Sequence, residues 1–188
     1  MYRSASSSAF VVVLTIFLLG CGGSAEREYA LPENFCDVDL PQEDYEALFP
    51  PGSELIVQPS YDDFSAGAAS RYCRVSVDGE EVIRVDADGV DSFENAIVHS
   101  GLSVEMDDAE PVDGEFDAVV WPHVAMATAP CVVPNVEGNN YIETLTLVLS
   151  ADSPGDDDES VRLLSSLIQP FMAETVEMTP CEENEGNS

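Results

Sequence analysis

Alternation of apolar and polar residues is clearest between Tyr72 and Asp86. Cys73, Val75 and Val77 take every second position between Tyr72, Arg74 and Ser76; Asp78-Gly79 follows, then Val82-Ile83-Arg84-Val85. A period of two marks a half-buried strand. Asp-Gly between two such runs marks a tight hairpin, because the turn needs positive φ and glycine supplies it without strain. Cys73 is expected to point inward with the two valines. A second strong strand places Leu145, Leu147 and Leu149 between Thr144, Thr146 and Val148. Shorter apolar runs at 55–57, 118–121 and 124–131 read as further strands, the last rich in alanine and so closely packed.

Helical spacing appears three times. After Asp39 and Pro41, residues 42–49 place Tyr45, Leu48 and Phe49 on one face, and Pro50-Pro51-Gly52 stops the run. Residues 91–101 predict a second helix, with Phe93, Ile97 and Val98 on one side. The third and longest begins near Asp158 and lines up Val161, Leu164, Ile168 and Phe171. The acids at its start suit the helix dipole. Pro170 is expected to kink or split it near Ile168. Residues 59–70, and the acidic stretch 106–117, read as surface loops. This order of elements predicts an α+β fold: a mainly antiparallel sheet with two or three packed helices.

The first twenty residues fit none of this. One cation, Arg3, precedes the apolar run from Phe10 to Leu19, and Gly20-Cys21 follows. A charged start, a short apolar stretch and a small residue before a cut are the layout of an export signal. The run is too short for a membrane span, which takes roughly 20 apolar residues. Leu18-Leu19-Gly20-Cys21 resembles a bacterial lipobox, which implies lipidation of Cys21 as the first mature residue. The expected organisation is a signal peptide over 1–20, a flexible tether over 21–30, one globular extracytoplasmic domain over 31–182 and a disordered tail over 183–188.

With Cys21 given to lipid, Cys36, Cys73, Cys131 and Cys181 remain. An even set in an exported domain reads as two disulfides, and four cysteines allow three pairings. The sequential pairing, Cys36–Cys73 and Cys131–Cys181, is expected, because each bridge then ties a terminal segment to a nearby hairpin. The spacings are long and no Cys-x-x-Cys pair occurs, which argues against zinc.

Charge narrows the partners. The chain carries 37 acidic and 6 basic residues, for a net charge of −31, and the basic residues are all arginine. Such a surface repels phosphate backbones, so nucleic acid is excluded as a partner. It also repels anionic headgroups over about one Debye length, roughly 10 Å at 0.1 M salt. A cationic partner and simple solubility both account for the acidity, and solubility is the plainer account.

Candidate chemistry is sparse. The two histidines, His99 and His123, read as a helix-end residue and a strand-edge residue beside Trp121-Pro122. Gly-x-Ser-x-Gly and His-Glu-x-x-His motifs are absent from the sequence. Asp86-Ala-Asp88-Gly89-Val90-Asp91-Ser92-Phe93-Glu94 has the density of acids of a calcium loop, but its glycine stands fourth rather than sixth and its closing acid comes too early. Asp156-Asp157-Asp158-Glu159 reads as a solvated loop and helix cap. No catalytic residue, metal site or cofactor is expected.

The chain resembles uncharacterised lipoproteins of actinobacteria, a group of putative-lipoprotein domains of unknown function. The resemblance rests on Leu18 to Cys21, Leu31-Pro32-Glu33-Asn34-Phe35-Cys36, Leu48-Phe49-Pro50-Pro51-Gly52, Cys73-Arg74-Val75-Ser76-Val77-Asp78-Gly79, Trp121, Cys131 and the final helix with Cys181. It implies a protein held by lipid on the extracytoplasmic face of the cell membrane, and it carries over no catalytic residue. The expected role is a non-enzymatic module that binds a small ligand or an envelope protein. The alternatives are a hydrolase-like envelope enzyme and an acidic cation-binding module.

Overall fold

Two runs of hairpins join edge to edge in one seven-stranded antiparallel sheet, in the order β1-β2-β3-β7-β6-β5-β4. The computed structural model describes residues 26–59, 70–133, 142–179 and Cys181. The strands are β1 (Leu55–Pro59), β2 (Ser70–Val77), β3 (Glu80–Asp88), β4 (Glu110–Pro111), β5 (Asp117–Trp121), β6 (Val124–Val133) and β7 (Ile142–Ala151); the helices are α1 (Gln42–Tyr45), continued by a 3-10 turn at Glu46–Leu48, α2 (Phe93–Ser100) and α3 (Asp157–Glu177). The expected α+β class, the mainly antiparallel sheet and both disulfides are present. Expectations about Cys21, the signal peptide, the tail over 183–188 and most of the loop over 59–70 lie outside the described residues.

Local chemistry explains the ladders. At the β2–β3 turn, Asp78 and Gly79 both have positive φ, 52° and 86°, the primed geometry that follows strand twist. After β3 the chain crosses by α2 to the far edge, then meanders back through β4, β5 and β6, so that β7 pairs with β3. Residues 106–117, expected as a plain loop, contain a 3-10 turn at Met106–Asp108 and the edge strand β4. Phe116 and Gln169 explain the order there: the Gln169 amide accepts from Phe116 N–H at 3.1 Å and donates to its carbonyl at 2.9 Å.

Register sorts the two faces. Val75, Val85, Leu147 and Ala127 share one face with Ala118 and Ala125, under α3 and the segment around α1. Alanines at 118, 125, 127 and 129 leave room for α3 to approach the sheet. Phe35, fully buried, sits among Tyr45, Phe49 and Phe171 with ring centroids 5.2–5.7 Å apart. On the opposite face α2 covers Val148, Met126, Val124 and Trp121, and the indole N–H donates to the Glu105 carbonyl at 2.9 Å.

Two expectations about helices are corrected. Pro170 does not split α3, which runs unbroken from Asp157 to Glu177. The proline lies on the exposed face, where the Ser166 carbonyl it leaves without a helical donor is open to water. Leu167 and Ile168 before it, and Phe171 and Met172 after it, are buried and hold both halves on the sheet. In α2, Val98 does not join Phe93 and Ile97 but is 80% exposed. The stripe against the sheet runs through Phe93, Ala96, Ile97 and Ser100, at i, i+3, i+4 and i+7, and Val98 falls a further turn of about 100° beyond Ile97.

Cys36–Cys73 and Cys131–Cys181 are the two bridges, with Cα atoms 5.7 and 4.9 Å apart. Cys36 and Asp37 form a tight turn with φ of 56° and 64°, closed by Phe35 and Val38, which exchange two backbone hydrogen bonds of 3.0 Å. The first bridge fixes that turn to the middle of β2. The second fixes the segment after α3 to the end of β6.

Candidate functional site

Strand direction gives the sheet two ends. One carries the β2–β3 turn, the β5–β6 turn and the start of α3. The other carries the end of β3 and the starts of β5 and β7. Two adjoining hollows open there. The first, of about 460 Å³, is lined by Asp91, Asn95, His99, Glu143 and Thr144 over a floor of Gly89 and Val90. The second, of about 380 Å³, is lined by Glu115, Phe116, Asp117, Thr128 and Pro130, and shares Asp91 and Thr144 with the first. Local bonds shape the rim. The Asn95 amide donates to Asp91 Oδ1 at 2.6 Å, and Thr146 Oγ1 donates to the Val90 carbonyl at 2.7 Å. Ile142 occupies the space a side chain on Gly89 would need. Carboxylates, an amide and hydroxyls therefore converge beside a small apolar ledge of Phe116 and Pro130, an arrangement suited to a ligand rich in hydrogen-bond donors.

His99, expected at a helix end, is there and also reaches this site. Its Nε2 lies 3.5 Å from Asp88 Oδ2, and its side chain is 60% exposed against 14% for Asp88. Burial pushes the Asp88 carboxyl above the usual carboxylate range, opposed by the Ser70 hydroxyl and by His99. A carboxyl so raised holds its proton more tightly folded than unfolded. It therefore favours folding at acid pH and loses that contribution as pH rises from the unfolded value through the folded one. Asp78 has the opposite sign: bonds from the Ser53 hydroxyl, Ser53 N–H and Glu54 N–H hold it low, and its contribution is lost as pH falls. Asp88→Asn is expected to raise the melting temperature at pH 7.5, because the variant no longer buries a charge there. The gain should vanish at pH 3; thermal melts at both pH values check it, and a lower melting temperature at pH 7.5 would contradict it.

His123 lies at the opposite end, in the β5–β6 turn, with φ 66°. Its backbone N–H donates to Ser160 Oγ at 2.8 Å, its Nδ1 lies 3.1 Å from the Ala151 carbonyl, and its Nε2 lies 3.3 Å from Asp157 Oδ1. Serine, histidine and aspartate thus meet here without forming a hydrolytic triad. Ser160 is fully buried and its hydroxyl donates to the Asp157 carbonyl at 3.2 Å. It bonds the His123 backbone, whereas a nucleophile must bond the ring. The cluster pins the start of α3 to the sheet.

The acids of the calcium-like stretch diverge. Asp86 is held by Arg74 Nη2 and Arg84 Nε, each at 2.6 Å; Asp88 faces His99, and Asp91 faces the hollows. Among the described residues no group of three or more His, Cys, Asp or Glu is placed to hold a metal. Asp156 caps α3 by accepting from Glu159 N–H at 2.9 Å. The Arg74–Asp86–Arg84 cluster is not evident from the sequence, although all three share the face of the β2–β3 hairpin opposite Cys73 and Val75. The hollows escaped it too, because their walls come from 89–99, 115–117, 128–130 and 143–144, which only the sheet order brings together.

No family model, curated protein or solved structure matches the chain.

Proposed function

We propose that this chain is a membrane-anchored extracytoplasmic lipoprotein of the actinobacterial kind, and that it is a non-enzymatic module binding a ligand or envelope partner. The leader ending at Leu18-Leu19-Gly20-Cys21 supports the anchor. The disulfides support an oxidising compartment outside the cytoplasm. The observation that carries the binding role is the pair of hollows joined through Asp91 and Thr144. Their carboxylates favour a cationic ligand, with the membrane reached through lipid alone.

Spermidine, a small polyamine, is a suitable probe. Titration followed by amide NMR is expected to give saturable shifts at Gly89, Val90 and Thr144. Asp91→Asn with Glu143→Gln should weaken binding about tenfold or more, since each charged hydrogen bond lost is worth about 1.5–3 kcal/mol. Diffuse shifts that never saturate would instead favour the acidic cation-binding module. The Asp88–His99 pair beside the first hollow is the one observation that favours an enzyme, as a general base with its orienting carboxylate. Hydrolysis of an ester probe abolished by His99→Ala would establish that reading over the binding one.

A further inference from the structure

Where the tether joins the fold decides which way an anchored domain faces. Cys21 and Glu26 are five residues apart in sequence, so the covalent chain between them reaches about 18 Å at most. Within the expected tether, residues 27–29 are bonded to the fold. Arg27 forms a parallel bridge with Gly52, and Glu28 N–H donates to the Gly52 carbonyl at 2.8 Å. The Arg27 guanidinium donates to the carbonyls of Glu46 at 2.8 Å and Phe49 at 2.6 Å, at the end of the α1 segment. The Tyr29 hydroxyl donates to the Pro50 carbonyl. Val77 and Asp78 fill the space beside Gly52 that a side chain would need, so Gly52 itself lies close against the β2–β3 turn.

That corner belongs to the sheet end opposite the hollows. Leu55 pairs with Val77 beside the β2–β3 turn, whereas the hollows sit at the end of β3 and the start of β7. β3 alone, from Glu80 to Asp88, separates the two ends by about 27 Å at strand rise. We infer that the Arg27–Tyr29 strap sets the orientation of the lipid-held domain, with the Gly52 corner toward the bilayer and the paired hollows facing away from it. This rests on the reading of Cys21 as the lipidated residue. The acidic surface adds to it, because repulsion from anionic headgroups opposes lying flat. A ligand of the hollows is then a soluble molecule or polymer of the outer compartment rather than a lipid of the bilayer beneath.

The absence of lysine from the sequence supplies the test. Glu80→Lys and Glu115→Lys each place one side-chain amine, at the proximal and distal ends respectively, and both positions are exposed. The mature protein, acylated on both the sulfur and the α-amine of Cys21 so that the introduced lysine is its one reactive amine, is labelled with an amine-reactive donor and bound to phosphatidylcholine vesicles containing some phosphatidylglycerol and an acceptor lipid. Energy transfer to the bilayer is expected from position 80 and largely lost from position 115. Arg27→Ala with Tyr29→Phe should level the two signals while a thermal melt shows the domain still folded. Equal or reversed transfer in vesicle-bound protein would overturn the orientation and leave the anchor intact, and a difference that survives loss of the strap bonds would overturn the strap's role. Failure to bind vesicles at all would overturn the anchor reading, and the orientation with it.

Discussion

Reduction of both disulfides is expected to unfold the domain at room temperature. The bridges close loops with sequence separations of 37 and 50 residues. In the chain-entropy account each such loop is worth about 4 kcal/mol. Together that is of the order of the whole stability of a domain, about 5–15 kcal/mol. The bridges also carry specific geometry. Cys36 sits at positive φ beside Asp37, a region uncommon for cysteine, and the bond to Cys73 holds their turn against β2. Cys181 closes onto β6 after α3 ends. The paired replacements Cys36→Ala/Cys73→Ala and Cys131→Ala/Cys181→Ala should each lower the melting temperature by about 5–15 °C. Far-ultraviolet circular dichroism with and without reductant, alongside a thiol titration, measures this. Four titratable thiols with an unchanged melt would contradict it.

Cys21→Ala is expected to release the protein from the membrane almost completely. A single acyl chain gives only marginal, reversible binding, about 10⁴ M⁻¹, while two chains give a stable anchor because each buried methylene adds about 0.8 kcal/mol. Nothing on the domain replaces that. No helix among the described residues is long and apolar enough to cross a membrane, and the net charge of −31 opposes an anionic surface. Fractionation of cells expressing either form reads the outcome: membrane pellet for the unaltered chain, soluble fraction for the variant. Equal retention in the pellet would mean that something other than lipid holds the protein there.

Features written in neighbouring residues were legible in advance. Asp78-Gly79 specifies its turn by backbone sterics alone, and the alternation through Cys73, Val75 and Val77 orients the cysteine toward its partner. Pairing of Cys131 with Cys181 followed from their places near a hairpin and a terminus. Features that depend on long-range context were not legible. The pairing of β3 with β7 needs the crossover by α2 and the far-edge strands, which no local period records. Val98 looked apolar enough to be buried, but helix rotation was set by Phe93, Ala96 and Ile97. Pro170 carries a local instruction to break a helix; its solvent-facing position and the buried residues on either side overrode it. At the site, single acids at 91, 115, 117 and 143 look like ordinary surface charge until the sheet gathers them. Ser160, His123 and Asp157 show the converse: the right residue types, brought together in an arrangement that cannot activate the serine.

Localisation, orientation and the direction of ligand access all depend on the proposed lipid on Cys21. Mass spectrometry of the N-terminal peptide, from protein purified out of the membrane fraction of a lipoprotein-processing bacterium, tests it most directly. The expected result is a chain that begins at Cys21 and carries diacylglycerol on its sulfur. A chain that still carries residues 1–20, or one that begins elsewhere with an unmodified Cys21 thiol, would contradict it.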